Sequence, residues 1–204
     1  MAQRGHFITL EGVDGAGKST HIEFVADAVR ASGGHVIVTR EPGGTDVAEM
    51  IRHIILGQPM QPLSETLLIF AARCEHVAKV IRPALGAGTS VICDRFGDAT
   101  VAYQGAGKGV QPDLIRSLAE ATHQGLLPDR TLVFDCSYEV ASERLRASGK
   151  ALDRFEKEDR AFFERVRKGY LDTAAAEPGR VRVIDASKDM ATIRKSVAAA
   201  LSGL

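Results

Sequence analysis

The sequence predicts an α/β fold, a parallel sheet covered by helices on both faces. Three observations carry this. Short apolar runs alternate with segments of helical spacing along the whole chain. The short runs are continuously apolar, as in strands buried on both faces. No internal repeat or low-complexity linker interrupts the alternation, so residues 1–204 read as one domain.

The elements follow in order. "HFITLE" is an apolar run that stops at a glycine, a buried strand. From about Lys18 to Ser32, the spacing of Ile22, Val25, Ala26 and Val29 predicts a helix that ends at Gly33-Gly34. "HVIVT" is a second strand. After "REPGGT", Val47, Met50, Ile51, Ile54 and Ile55 fall on one helical face. Residues 62–85 read as a long helix with Pro62 in its first turn and glycines past its end. "SVICD", "RTLVFD" and "RVRVID" complete five strands. Further helices are predicted at about 112–124, 138–148, 156–176 and 189–202. Between two of these, "RASGKALDRFEKED" is charged, lacks apolar periodicity and contains Gly149. It reads either as a solvated loop or as a mobile lid over about residues 146–156.

Composition narrows the function. Lys+Arg and Asp+Glu both number 26, so no net charge marks a nucleic-acid or membrane surface as the main partner. Attraction for phosphate must then come from local arginines. Cys74, Cys93 and Cys136 form no CxxC pair, which favours buried thiols in a reducing compartment. "MAQRGHFITLEG" lacks a long apolar signal core, and no run approaches the ~20 apolar residues of a membrane span. A cytoplasmic location is expected.

Gly12-Val13-Asp14-Gly15-Ala16-Gly17-Lys18-Ser19, followed by Thr20, fits G-x-x-x-x-G-K-[ST] with a strand before it and a helix after it. Glycines there let successive N–H groups aim at an anion, and the following helix adds its positive dipole end. Lys18 can reach the β- and γ-phosphates of ATP, and the Ser19 hydroxyl can ligate Mg²⁺. Asp14 repels phosphate unless it faces away. It is either a turn-forming acid or a contact to a second substrate.

The cradle alone does not say where the phosphate goes. No guanine-reading N-K-x-D segment is present, and the chain is short for a motor. A small phosphotransferase remains, and an acceptor bearing phosphate calls for arginines, whose planar fork suits its oxygens. Arg40, Arg52, Arg73 and Arg95 are the candidates. They follow the second and third strands or sit mid-helix, and the carboxyl ends of parallel strands are where ligands bind.

"EGVDGAGKST", "TREPGGT", "FAARCEHV", "DRFGDATVAYQG" and "LDRFE", in this order from about Phe7 to Asp185, resemble the bacterial thymidylate kinases among the P-loop nucleoside monophosphate kinases. The resemblance implies a P-loop NTPase three-layer fold with a five-stranded parallel sheet, Mg²⁺-dependent transfer of the ATP γ-phosphoryl to dTMP, and a homodimer. It matches Arg52 and Arg95 to grips on the dTMP phosphate, and Asp14 and Glu41 to carboxylates near that phosphate and the sugar. Arg73 matches a donor to thymine O4, Thr100 and Gln104 positions facing the base, and Tyr103 one beside the deoxyribose, where it would crowd a 2′-OH. Asp94 ends the third strand, where an acid can hold Mg²⁺ directly or through water. Phe70 is the candidate for stacking on the base, although many members place that ring four residues before the arginine, which here is Ile69.

Phosphoryl transfer needs positioning and charge rather than covalent chemistry. Some members of the family carry an arginine in the P-loop after the acid, where this chain has Gly15. The bacterial pattern supplies the charge from the lid. Arg144, Arg146, Lys150 and Arg154 are the candidates, with Arg146 and Arg154 favoured beside Lys18, Arg95 and Asp14 as catalytic residues. The alternatives are a P-loop kinase for another acceptor and a nucleotide switch without one.

Overall fold

The structure, a computed structural model, describes residues 4–31, 33–149 and 153–204. Five strands are present: β1 (Phe7–Glu11), β2 (Val36–Arg40), β3 (Ser90–Asp94), β4 (Arg130–Asp135) and β5 (Val181–Asp185). They form one parallel sheet in the order β2-β3-β1-β4-β5. The central β1 is buried along its whole length, which explains its unbroken apolar run. The chain winds outward from β1 on both sides, so the carboxyl end of β1 is the crevice where such sheets bind ligands.

A 3₁₀ turn (Lys18–His21) leads into α1 (Ile22–Ala31), and α2 spans Asp46–Gly57. The predicted helix over 62–85 is continuous: α3 (Pro62–His76) passes through a π-helical turn (Val77–Ile81) into α4 (Arg82–Gly86). Helices α6 (Pro112–His123), α7 (Tyr138–Ala147) and α9 (Met190–Leu201) stand close to their predicted bounds. Helix α8 (Arg160–Ala176) begins later than predicted. Its cap is Asp159, whose Oδ1 accepts from the Phe162 N–H at 2.7 Å. Just upstream, Asp153 Oδ1 accepts from the N–H groups of Phe155 and Glu156, which folds 153–156 into a turn instead of a first helical turn.

One helix has no counterpart in the sequence pattern. Gly97–Thr100 (α5) runs into a π-helical segment, Val101–Gly107; the first ends at Thr100, and the second carries Tyr103 and Gln104. Glycines on both sides of its contact with α8 serve close packing. A Cβ on Gly107 would lie 2.7 Å from the Phe162 ring, and one on Gly169 would lie 2.8 Å from the Ala106 Cβ. Glycine at both positions lets this helix and α8 approach each other, at the usual cost of glycine in a helix.

Candidate active site

The P-loop connects β1 to the 3₁₀ turn. Gly12, Gly15 and Gly17 all have positive φ, the alternation that turns main-chain N–H groups toward an anion. Lys18 is buried, and its Nζ donates to the carbonyls of Gly12 and Val13, both at 3.0 Å. Burial, with Arg95 nearby, lowers the Lys18 pKa from 10.5 to about 8. Ser19 and Thr20 are exposed. The loop floors an open cleft of about 1560 Å³ that also takes in Asp94, Arg144 and Lys188.

Gly15 has a definite cause. A Cβ there would lie 2.4 Å from the carbonyl oxygen of Ala141, so helix α7 packs directly on the loop and leaves no room for an arginine. The same helix delivers one instead. Arg144 donates through Nη1 to the Ala16 carbonyl at 3.3 Å and through Nη2 to the Ala186 carbonyl at 2.8 Å. The two arginines favoured from the sequence lie elsewhere. Arg146 donates to its own helix at the Ser142 carbonyl and lines a separate groove with Tyr138 and Arg160. Arg154 turns inward to Glu65 and the Ile55 carbonyl. The reason is helical geometry: two residues on from Arg144, Arg146 falls on the opposite side of α7. Lys150 lies outside the described residues.

A second cavity, of about 600 Å³, opens beside the cleft. Its far wall is α3 and the 97–107 helix. Arg73 is 1% exposed there. Its Nε donates to Glu41 Oε2 at 2.7 Å, and its Nη2 donates to Thr100 Oγ1 at 2.9 Å and the Phe96 carbonyl at 3.1 Å. Its Nη1 is buried and has no hydrogen-bond partner among the described residues. A charged donor without a partner inside a cavity is costly unless a ligand completes it. Glu41 also bonds His76 Nδ1 at 2.9 Å. Burial acts to raise the Glu41 pKa, but Arg73 and His76 outweigh it and hold it below the usual carboxylate value.

Phe70 does not line this cavity. Ile69, four residues before Arg73, does, while Phe70 is buried with the Arg73 guanidinium 5.0 Å above its ring. The stacking candidate is therefore corrected to a support for Arg73. The aromatic side chain that the lid brings to the cavity is Phe155, which meets Tyr103 edge-on at 5.8 Å. It sits inside the "LDRFE" motif, and only the turn at 153–156 reveals its direction.

The cleft and the cavity share a wall: Asp14, Glu41, Arg52, Arg95 and Asp153 line both. Arg95, in a left-handed backbone conformation (φ 69°), is the hub of this wall. Its Nη2 donates to Asp14 Oδ1 at 2.6 Å and Tyr103 Oη at 3.1 Å, and its Nη1 donates to the Gly12 carbonyl and Tyr170 Oη. Tyr103 Oη donates to Asp14 Oδ2 at 2.8 Å. Burial acts to raise the Asp14 pKa, but the Arg95 and Lys18 charges reverse that and keep it low. Arg52 donates to the Pro42 carbonyl at 2.9 Å. Behind Arg95, Tyr170 donates to Glu11, a fully buried carboxyl whose pKa burial, with Asp98 nearby, raises to about 8. Glu11 opens the "EGVDGAGKST" stretch but lies outside the phosphate-binding pattern, and Tyr170 lies in none of the quoted motifs.

Asp94 and Ser19 have the chemistry to hold Mg²⁺. Asp94 Oδ1 is buried and lacks a partner among the described residues, and it opens on the same cleft as Ser19. A carboxylate and a hydroxyl beside a phosphate cradle suit a hard cation that keeps much of its water.

Comparisons with known proteins agree with this geometry. The family model described as thymidylate kinase matches residues 10–197. A thymidylate kinase of Bordetella petrii is 51% identical over 204 residues, covering 100% of this chain and 98% of that protein. One of Cupriavidus necator is 55% identical over 193 residues, covering 94% and 95%. The crystal structure of thymidylate kinase from Ehrlichia chaffeensis superposes with a TM-score of 0.74 at 37% identity, covering 89% of this chain and 93% of that one. The matched span runs from β1 through α9 and so contains every element that builds the cleft, the cavity and their shared wall: the chain belongs to the thymidylate kinase family.

Proposed function

We propose that this chain transfers the γ-phosphoryl group of ATP to the phosphate of dTMP, giving ADP and dTDP on the way to dTTP. The observation that carries the reading is the wall shared by the two cavities. ATP fits the P-loop cleft, with its β- and γ-phosphates at Lys18 and the loop N–H groups. dTMP fits the second cavity with its phosphate toward Arg52 and Arg95, so that donor and acceptor phosphates meet at the wall. The unpartnered Arg73 Nη1 supplies a donor to a base carbonyl such as thymine O4. Thr100 and Gln104 line the base end, and Tyr103 and Glu41 lie toward the sugar.

Catalysis is electrostatic. The acceptor oxygen is already anionic, so no strong base is needed. Lys18, Arg95 and Arg144 carry the charge that the transferring group requires, and Asp14 holds Arg95 in place. Ser19 and Asp94 would hold Mg²⁺, which when bound neutralises charge on the phosphates. The lid turn at 153–156 closes over both cavities and excludes water. A homodimer belongs to this reading. Met50 and Ile54 of α2 and Leu63 and Leu67 of α3 are exposed apolar side chains on two helices that pack together. A cytoplasmic location also fits, where both nucleotides are found; no helix among the described residues is long and apolar enough to cross a membrane.

The test is coupled ADP release with dTMP, dUMP, UMP and thymidine side by side. Rapid turnover with dTMP, less with dUMP and little with UMP or thymidine is the expected result. ADP release that does not depend on dTMP sinks the reading.

A further inference from the structure

Glu65 lies on α3, two turns before Arg73, and no sequence motif singles it out. It is 0% exposed and does not line the acceptor cavity. Three donors nevertheless converge on it. Gln104 Nε2 donates to its Oε1 at 2.8 Å, Lys108 Nζ donates to its Oε2 at 2.9 Å, and Arg154 Nη2 from the lid turn bonds the same Oε2.

The chemistry of this contact is one-directional. A carboxylate held by two cations is an acceptor only, so Gln104 must present its amide nitrogen to it. The amide oxygen is left for the cavity, and among the described residues it accepts no hydrogen bond. The neighbouring free group on the same wall is the Arg73 Nη1 donor. The cavity end therefore reads as a donor beside an acceptor. A 4-oxo pyrimidine, with a carbonyl at C4 and an N–H at N3, complements that order. A 4-amino pyrimidine reverses both groups.

We propose that Glu65 is a positioning residue for acceptor choice: by fixing the Gln104 amide, it makes the cavity select a 4-oxo over a 4-amino pyrimidine nucleotide. This rests on the reading of the second cavity as the dTMP site. Because Arg154 shares the same carboxylate, the lid turn and the amide orientation depend on one group.

The test measures Kd and kcat/KM for dTMP and dCMP with the full chain, as wild type and Glu65→Gln. A glutamine at 65 can offer either end of its amide, which frees Gln104 to turn. The preference for dTMP over dCMP is expected to fall roughly tenfold, the size of one buried hydrogen bond gained or lost. The double variant Glu65→Gln with Gln104→Glu reverses the pair while keeping both shapes. It leaves a carboxylate oxygen for the cavity and is expected to restore the preference. It also serves as the test if Glu65→Gln alone does not fold. A preference within about twofold of wild type in Glu65→Gln, even with both affinities reduced, overturns the proposal as a mere packing role. So does a double variant that lacks the preference. A wild-type chain with no preference for dTMP would instead overturn the acceptor reading itself.

Discussion

The P-loop cleft is shaped by main chain, whereas the acceptor cavity is shaped by buried side chains bonded to one another. In the cleft, glycines at positive φ form the cradle, and Lys18 and Arg144 are anchored on backbone carbonyls. In the cavity, Arg73, Glu41, His76 and Thr100 form one buried network, and Gln104, Glu65, Lys108 and Arg154 form another. The difference teaches what each side risks. A cleft side chain can be removed with loss of chemistry alone. A cavity side chain takes part of the fold with it.

The largest expected effect therefore lies in the cavity. Arg73→Ala strands Glu41, whose side chain is 3% exposed, with only His76 beside it. We expect a loss of about 3–5 kcal/mol of stability, the penalty for breaking a buried ion pair, seen as a large fall in Tm. Binding of dTMP should be lost as well. Unchanged Tm with lost binding would break the contrast. In the cleft, Lys18→Met keeps the side-chain stem and removes the charge. Here kcat should fall by about 10²–10³, with Tm shifted by only a few degrees and dTMP affinity largely kept. Stopped-flow or coupled turnover beside a thermal melt checks both halves.

The same contrast governs legibility. All five strands could be read from their apolar runs; β1, β3 and β4 are buried almost throughout, while the edge strands β2 and β5 are only partly buried. The cradle was equally legible, since eight consecutive residues fix its main chain. The cavity was legible only by resemblance and only as single positions. Arg73 and Glu41 lie on two segments and Thr100 and Gln104 on a third, and no local pattern says which of them touch. The helix over 97–107 left no such pattern: Gly105 lies against Ile115 of α6 and Gly107 against Phe162 of α8, so glycines stand where apolar side chains would mark a buried face. Helical phase decides which basic side chain of α7 stands beside the P-loop. Gly15 signals a missing charge, but only the approach of α7 shows that Arg144 is the one beside the loop.

That phase sharpens the comparison at a smaller scale. Arg144→Ala should lower kcat by about 10–10² through loss of one charge near the transferring group. Arg146→Ala should leave turnover within about twofold, since its head lies in the groove with Tyr138 and Arg160. Single-turnover rates with saturating dTMP separate the two. The reverse ranking would return the catalytic charge to the end of α7.

The most gradual effect is a slope with pH, and it sits where cleft and cavity meet. Glu11 supports Arg95 through Tyr170 and keeps its proton up to about pH 8 in the folded chain, against 4.5 when unfolded. Between those values the native state binds more protons than the unfolded chain, so raising the pH favours unfolding. The stabilising contribution is full below about pH 4.5 and is lost as pH rises through 8. One such proton gives at most about 1.4 kcal/mol per pH unit. Glu11→Gln keeps the shape and cannot ionise, so its stability should fall less steeply than wild type across pH 5–8. Urea melts at several pH values measure that difference. Parallel slopes would mean that Glu11 is ionised in the fold and that Arg95 leans on a buried charge rather than on a neutral acid.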